Sequence, residues 1–305
     1  MARTAGVMAY PQVGIFSLGE NAQAHFELDL RTPGNAAQFA SALLELDRPH
    51  STVSGVNLVL GFRPSLWAHV APQHALPAHD FAEPIAGADG FTMPATQHDA
   101  WFWFTGASYD VIFDQARAAL KTLSGVAEVA FELSGWAYQH SRDLTGFEDG
   151  TANPSLLEAP SLALVPDGEP GAGSTIVLLQ QWQHDMDAFD ALDERAQERV
   201  MGRTKDDSEE FDEADLPEDS HVARTELHDA QGNELPIFRR SVPYGNVGSH
   251  GLMFVGFARE QQRLDTMLRR MAGADGPRDA LTRFSHPLTG SYYVVPSVQA
   301  LLSLV

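Results

Sequence analysis

Residues 146–154 read GFEDGTANP. Two acidic residues stand between glycines, and Asn-Pro follows at once. Nothing in the stretch alternates like a strand, and its glycines and proline exclude a stable helix. Gly, Asp, Asn and Pro are common turn formers, so a surface turn is the plain reading. Its place in the chain argues for more, because it divides two segments that carry the same order of elements.

Upstream, AHFELDLR (24–31) alternates like a strand, and GNAAQFASALLELDR (34–48) has helical spacing with Phe39, Leu43 and Leu46 on one side. GVNLVLGF (55–62) and AWFWFTG (100–106) read as buried strands. SYDVIFDQARAALKTL (108–123) opens on the good N-cap residue Ser108, and VAEVAFELSGW (126–136) closes the half as a strand. Downstream, STIVLLQQWQ (174–183) is strand-like and DAFDALDERAQERVMG (187–202) is an amphipathic helix ending at Gly202. ELPIFRRSV (234–242), GLMFVGFA (251–258) and GSYYVVPS (290–297) read as strands, with the helix REQQRLDTMLRRMAG (259–273) before the last. Both halves run β-α-β-β-α-β, the split unit of ferredoxin-like folds. The expected class is α+β, two such domains packed sheet against sheet with helices outside. The boundary places one domain at 1–145 and the other at 146–305, with GFEDGTANP at the junction, where ligand sites collect.

The chain has 305 residues and is 44% hydrophobic, the composition of a folded protein. No apolar run approaches the roughly 20 residues of a membrane span. MARTAGVMAYPQVGIF at the N-terminus does not resemble an export signal, so a cytoplasmic location is expected. The absence of cysteine excludes disulfides, zinc–thiolate sites, iron–sulfur clusters and thioether-linked haem. A formal charge of −21 disfavours nucleic acid or an anionic membrane as partner.

Of the twelve histidines, His69, His74, His79 and His98 lie in a Pro/Ala-rich connection and read as solvated; His25 and His286 border strands. No zinc-hydrolase spacing, nucleophile elbow, phosphate loop or dinucleotide fingerprint is present. His221 is placed differently. MGRTKDDSEEFDEADLPEDSHVART (201–225) runs from a helix end through an acidic loop to His221, just before an apolar-alternating piece. In FRRSVPYG (238–245), strand alternation turns one of Arg239 and Arg240 toward the covered side, where it needs an anionic partner or a ligand.

Taken together, GFEDGTANP, GRTKDDSEEFDEADLPEDSHV, IFRRSVPYG and GSYYVVPS resemble, in that order and across essentially the whole chain, the dye-decolourising peroxidase family, in particular its short bacterial branch. The resemblance implies a pair of ferredoxin-like domains, one non-covalent haem b per chain, and a haem pocket mainly in the C-terminal domain. It places His221 as the proximal iron ligand and Asp279, in DALTRFSHP, as the acceptor behind its imidazole. Asp149 and Arg239 fall on the distal aspartate and arginine, the catalytic pair, both also beside the cofactor. Arg203 resembles a haem-propionate partner, and Ser241 occupies a position where some relatives have asparagine. Leu252 and Phe254 are candidate pocket walls; Glu148 points elsewhere, with no assigned role.

In such a site a carboxylate behind the imidazole raises its donor strength. Asp149 would act as general acid–base or position a water, and Arg239 would stabilise negative charge as the O–O bond polarises. Arg239 is expected to contribute more than Asp149 to peroxide cleavage, because it should keep Asp149 ionised. The implied reaction reduces hydrogen peroxide at the expense of dyes, phenols and other aromatic donors. A porphyrinogen-oxidising or deferrochelatase-like haem-handling protein and a non-catalytic haem carrier are the alternatives. Trp101, Trp103, Trp136, Trp182, Tyr138, Tyr244, Tyr292 and Tyr293 are candidate electron relays, strand packing being their plain reading. A homodimer or higher homo-oligomer is expected. Since SVQALLSLV follows the last strand without a polar linker, loading into a protein nanocompartment is not expected.

Overall fold

The computed structural model describes residues 9–46, 55–139 and 141–304. Its first half runs β1 (Ala22–Leu30), α1 (Ala36–Leu44), β2 (Asn57–Phe62), α2 (Pro64–Val70), a small hairpin of β3 (Ile85–Ala86) and β4 (Thr92–Met93), β5 (Ala100–Gly106), α3 (Tyr109–Leu123) and β6 (Ala127–Trp136). The second half runs α4 (Ala159–Ala163), β7 (Thr175–His184), α5 (Met186–Asp190), α6 (Glu194–Met201), α7 (His221–Thr225), β8 (Phe238–Arg239), β9 (Val242–Asn246) and β10 (Ser249–Ala258). It ends with α8 (Gln261–Ala272), β11 (Ser285–Pro287), β12 (Ser291–Val295) and α9 (Val298–Leu302).

With the short inserts set aside, each half is β-α-β-β-α-β. Its four long strands pair antiparallel with the second and third adjacent and the first between third and fourth: β2-β5-β1-β6 and β9-β10-β7-β12. The sheets face each other and also join at both edges. Val294 of β12 pairs with Phe62 of β2, and Gly135 of β6 pairs with Tyr244 of β9, closing eight strands into a ring.

Alternation along the strands sorts the core into three layers. Phe102 and Phe104 of β5 face outward with Phe26 and Phe62, under Phe39 of α1 and Ile112 of α3. Trp101 and Trp103, one residue out of phase, face inward and meet Val177, Leu179, Met253, Val255 and Tyr293 from the other sheet. Because β5 is covered on both sides, all seven of its residues are buried, and the aromatic run AWFWFTG is explained. Truncating a buried aromatic of this kind costs about 3–5 kcal/mol. The third layer is the outer face of the second sheet, where Ile176, Leu178 and Tyr292 pack on Leu264, Met267, Leu268 and Met271 of α8. Those four lie at the i, i+3, i+4, i+7 spacing of an apolar helix stripe, and Gly273 ends the helix in the left-handed region at φ 76°.

Two expected elements are broken. The 187–202 helix is two helices, because the Asp193 side chain accepts from the Ala196 amide at 2.8 Å and starts a new one. The 234–242 strand is interrupted at residues 240–241, between β8 and β9. Residues 47 and 48 of the 34–48 helix lie outside the described residues.

Candidate active site

Beside α8, further outward positions of β7 and β10 border open space. Gln180, Trp182 and His184 project there from β7, and Leu252 and Phe254 from β10. With Met267, Leu268 and Met271 of α8, Leu281, and the 143–151 segment, they line a cavity of about 970 Å³ of atom-free space, mouth included.

His221 enters this cavity as the first residue of α7, not at the edge of a strand. Ser220, fully buried, caps the helix by accepting from the Ala223 amide at 3.3 Å. Behind the ring, His221 Nδ1 lies 2.7 Å from Asp279 Oδ2, and Asp279 is fully buried. Asp279 also accepts from the Leu281 amide at 2.9 Å, and the Ala280 amide donates to Asp219 O at 2.7 Å, so both segments are pinned together. With the carboxylate ionised, Nδ1 carries the proton and Nε2 is left as a lone-pair donor. Nε2 has no protein partner among the described residues.

Asp149 and Arg239 line the same cavity. Burial pushes the Asp149 carboxyl up; the charge of Arg239 pulls the other way, as more weakly does His221, and Asp143 adds to the rise. Arg239 thus acts in the expected direction, favouring the ionised carboxylate, but the net shift is upward because desolvation outweighs the guanidinium. Arg203 is 8% exposed, donates to Glu210 at 2.7 Å and to Thr151 Oγ1, and adds a second cation to the lining. Leu252 and Phe254 line the cavity as expected of walls, and so does Glu148, although it is exposed.

Ser241 does not line this cavity. The strand breaks after Arg239, and only Arg239 of the two reaches this cavity. Ser241 Oγ instead lies 3.5 Å from the Val255 amide and borders a neighbouring cleft, which shares Asp149, Gly150 and Arg239 with the cavity. Arg240 turns inward to Glu20 at 2.7 Å and lies over Trp103, so the doublet splits its roles as alternation requires.

Sequence reasoning missed one polar cluster. His184 bridges Ser285 Oγ (2.9 Å from Nδ1) and Asp143 Oδ2 (3.2 Å from Nε2), and all three line the cavity. Burial alone would raise Asp143, but the charge and hydrogen bond of His184 and two bonds from Thr145 bring it down to about 2. The alternation in QQWQH, with Gln180, Trp182 and His184 on one face, was the available signal.

Fold and cavity define an α+β protein of two ferredoxin-like halves, built to hold a sizeable apolar cofactor beside one available imidazole nitrogen. Residues 140–300 match the family described as Dyp-type peroxidase, C-terminal. The chain is 39% identical over 215 residues to a dye-decolorizing peroxidase of Mycolicibacterium paratuberculosis, covering 69% of this chain and 61% of that protein. A Rhodococcus erythropolis dye-decolorizing peroxidase is 34% identical over 254 residues, 81% of this chain and 74% of the relative. The matches span 61% and 64% of the two mycobacterial relatives, less than two thirds of their length. Among solved structures, an aspartate-to-histidine variant of Rhodococcus jostii DypB in complex with heme is similar at a TM-score of 0.87 and 30% identity, covering 98% of this chain and 100% of that one. A dye-decolorizing protein from V. cholerae gives a TM-score of 0.81 at 29% identity, covering 96% and 98%. The chain belongs to the dye-decolorizing peroxidase family.

Proposed function

We propose that the protein is a haem peroxidase that reduces hydrogen peroxide and oxidises aromatic donors. One observation carries the reading: an imidazole held through Nδ1 by a buried carboxylate 2.7 Å away offers its other nitrogen to a large cavity that also holds Asp149 and Arg239. The donor set fits haem b. Neutral imidazole is the usual peroxidase ligand, and apolar Trp182, Leu252, Phe254, Met267, Leu268 and Met271 suit a porphyrin face. Gln180 Nε2 is buried without a partner at the cavity wall, the kind of orphan donor a polar-edged cofactor satisfies.

His221 would hold the iron and Asp279 would fix the ring's tautomer and strengthen it as a ligand. Arg203 and Arg239 would neutralise the propionates and the distal face respectively. Bound haem supplies the two-electron reduction of peroxide and the one-electron oxidation of donors. Asp149, at the cavity wall, would take the proton from the inner peroxide oxygen and return it to the departing one. Its raised pKa suits that work, since a carboxyl poised nearer neutrality exchanges protons more readily in both directions. Arg239 would hold the polarised O–O bond with a fixed positive charge.

The test is an absorption spectrum of haem-loaded protein before and after one equivalent of peroxide, with dye, phenol and porphyrinogen turnover compared afterwards. A Soret band lost in His221→Ala, together with peroxide-driven spectral change and dye oxidation, is expected. Porphyrinogen turnover outpacing dye turnover would favour the haem-handling alternative, and an inert Soret band would favour a carrier. We further propose that the protein self-associates as a homodimer or larger assembly. Trp136 and Val129, exposed on β6, supply apolar area for it, and light scattering measures the outcome.

A further inference from the structure

The 149–154 turn carries no regular structure, yet it must present Asp149 at a fixed distance from Arg239, which comes from a different part of the chain. β8, the strand bearing Arg239, is two residues long. It pairs with β10 on one side, Gly256 opposite Arg239, and no strand lies on its other side among the described residues. That edge would leave the Arg239 amide and carbonyl unmatched. Asn153 fills it. Its Oδ1 accepts from the Arg239 amide at 2.8 Å, and its Nδ2 donates to the Arg239 carbonyl at 2.9 Å.

The surrounding sequence shapes this contact. The Asn153 amide donates to Gly150 O at 2.9 Å, closing a tight turn directly after Asp149. Gly150 has φ 84°, and a Cβ there would stand 2.9 Å from Asn153 Nδ2, so glycine is required by conformation and by space. Pro154 biases Asn153 toward an extended backbone, away from helix. The Asp149 amide is itself tied back to Ser141 O at 2.8 Å.

We propose that Asn153 is the positioning residue that sets Asp149 and Arg239 in register, its side-chain amide standing in for a missing strand beside β8. The assignment rests on the reading of Asp149 and Arg239 as the pair that acts on peroxide. No other side chain offers a donor and an acceptor at that spacing with asparagine's length: aspartate lacks the donor, and alanine lacks both.

The experiment uses haem-loaded Asn153→Ala, Arg239→Ala and the double variant, with Asp149→Ala as reference, and reads the rate of reaction with peroxide by rapid mixing. Amide hydrogen exchange of the haem-free proteins is followed at residues 238–240. Expected in Asn153→Ala are faster exchange at the Arg239 amide, an unchanged Soret band, and a peroxide rate lower by roughly 10–100-fold, the scale of about 1 Å of misplacement. In the Arg239→Ala background the same substitution should cost almost nothing further. A full-sized loss in both backgrounds, or no loss in the single variant, overturns the proposal. If Arg239→Ala and Asp149→Ala both leave the peroxide rate unchanged, the reading of the site itself fails, and the positioning role goes with it. Should Asn153→Ala not fold, Asn153→Asp carries the same test, since it keeps the size and one acceptor but loses the donor.

Discussion

Two carboxylates serve this cavity, Asp149 from its wall and Asp279 from behind His221, and they should answer mutation in opposite ways. Asp279 is fully buried with its oxygens engaged by His221 Nδ1 and the Leu281 amide. Asp279→Asn leaves the shape but replaces an acceptor-only group facing the ring, so haem affinity should fall about 10–100-fold; a haem titration followed in the Soret region measures it. Asp149 is half-buried in the cavity wall, and its pKa is raised from 3.8 chiefly by desolvation. Below pH 3.8 the carboxyl is mostly protonated in both folded and unfolded chains, so the shift adds nothing to the difference between them. As pH rises, the unfolded chain releases its proton first, so stability falls until the folded carboxyl also ionises. Asp149→Asn should therefore stabilise the haem-free protein near pH 7, and the gain should vanish on acidification below about pH 4 in denaturant titrations. An unchanged or lower midpoint at neutral pH would show that Arg239 outweighs burial. In that case the carboxylate contributes to stability as well as to chemistry.

Elements bring these residues together, and they were unevenly legible. The strands could be read closely, because alternation and aromatic content mark them: AWFWFTG is β5 without a residue of error. Asp279 and His221 were paired through resemblance, and the structure places them in contact across 58 residues. Where local side chains compete with the backbone, the reading failed. Asp193 cut a helix by capping a new one, and the hydrophobic pattern across 187–202 carried no trace of that. Ser241, just past the break in the strand, borders the adjoining cleft with Asp149 and Arg239 rather than the cavity itself. His184 and Asp143, 41 residues apart, could be joined only once β7 and the 143–151 segment were in place. Gly202 shows how much one element end can decide. It ends α6 at φ 87°, turning the chain so that Arg203 reaches the cavity, and a Cβ there would meet Ser220 Oγ at 2.7 Å and Leu216 Cδ1 at 2.9 Å. Gly202→Ala should cost about 1 kcal/mol or more, since strain and collision act together and the contact is with the residue that caps His221's helix. Denaturant midpoint measures the loss, and haem titration should show weaker binding at the same time. A stable variant with unchanged haem affinity would separate α6 from the site.

At the scale of the molecule, the halves seen in the sequence share one interior. Trp101 and Trp103 of the first sheet pack against Val177, Leu179, Met253, Val255 and Tyr293 of the second, and Tyr293 donates to the buried Glu27 at 2.6 Å. Cutting the chain at 145 would expose these faces and strand Glu27, whose carboxyl burial already pushes up. We propose that residues 1–145 and 146–305 are topological repeats but a single folding unit. One cooperative transition is then expected in calorimetry, with calorimetric and van't Hoff enthalpies agreeing. The seam offers a sharper probe. Gly135 joins β6 to β9 by pairing with Tyr244, and a Cβ there would lie 2.5 Å from Val242 Cγ1 and 2.7 Å from Pro243 O. Gly135→Ala must open the seam, at about 1–3 kcal/mol for overpacking of this kind. If the halves share their stability, that strain lowers the midpoint of one undivided transition, and the Soret band is lost at the same temperature as the tertiary signal of the first half. Two resolved transitions, only one of them moved by the substitution, would mean that each half stands on its own core and that the shared interior is a docking surface between domains.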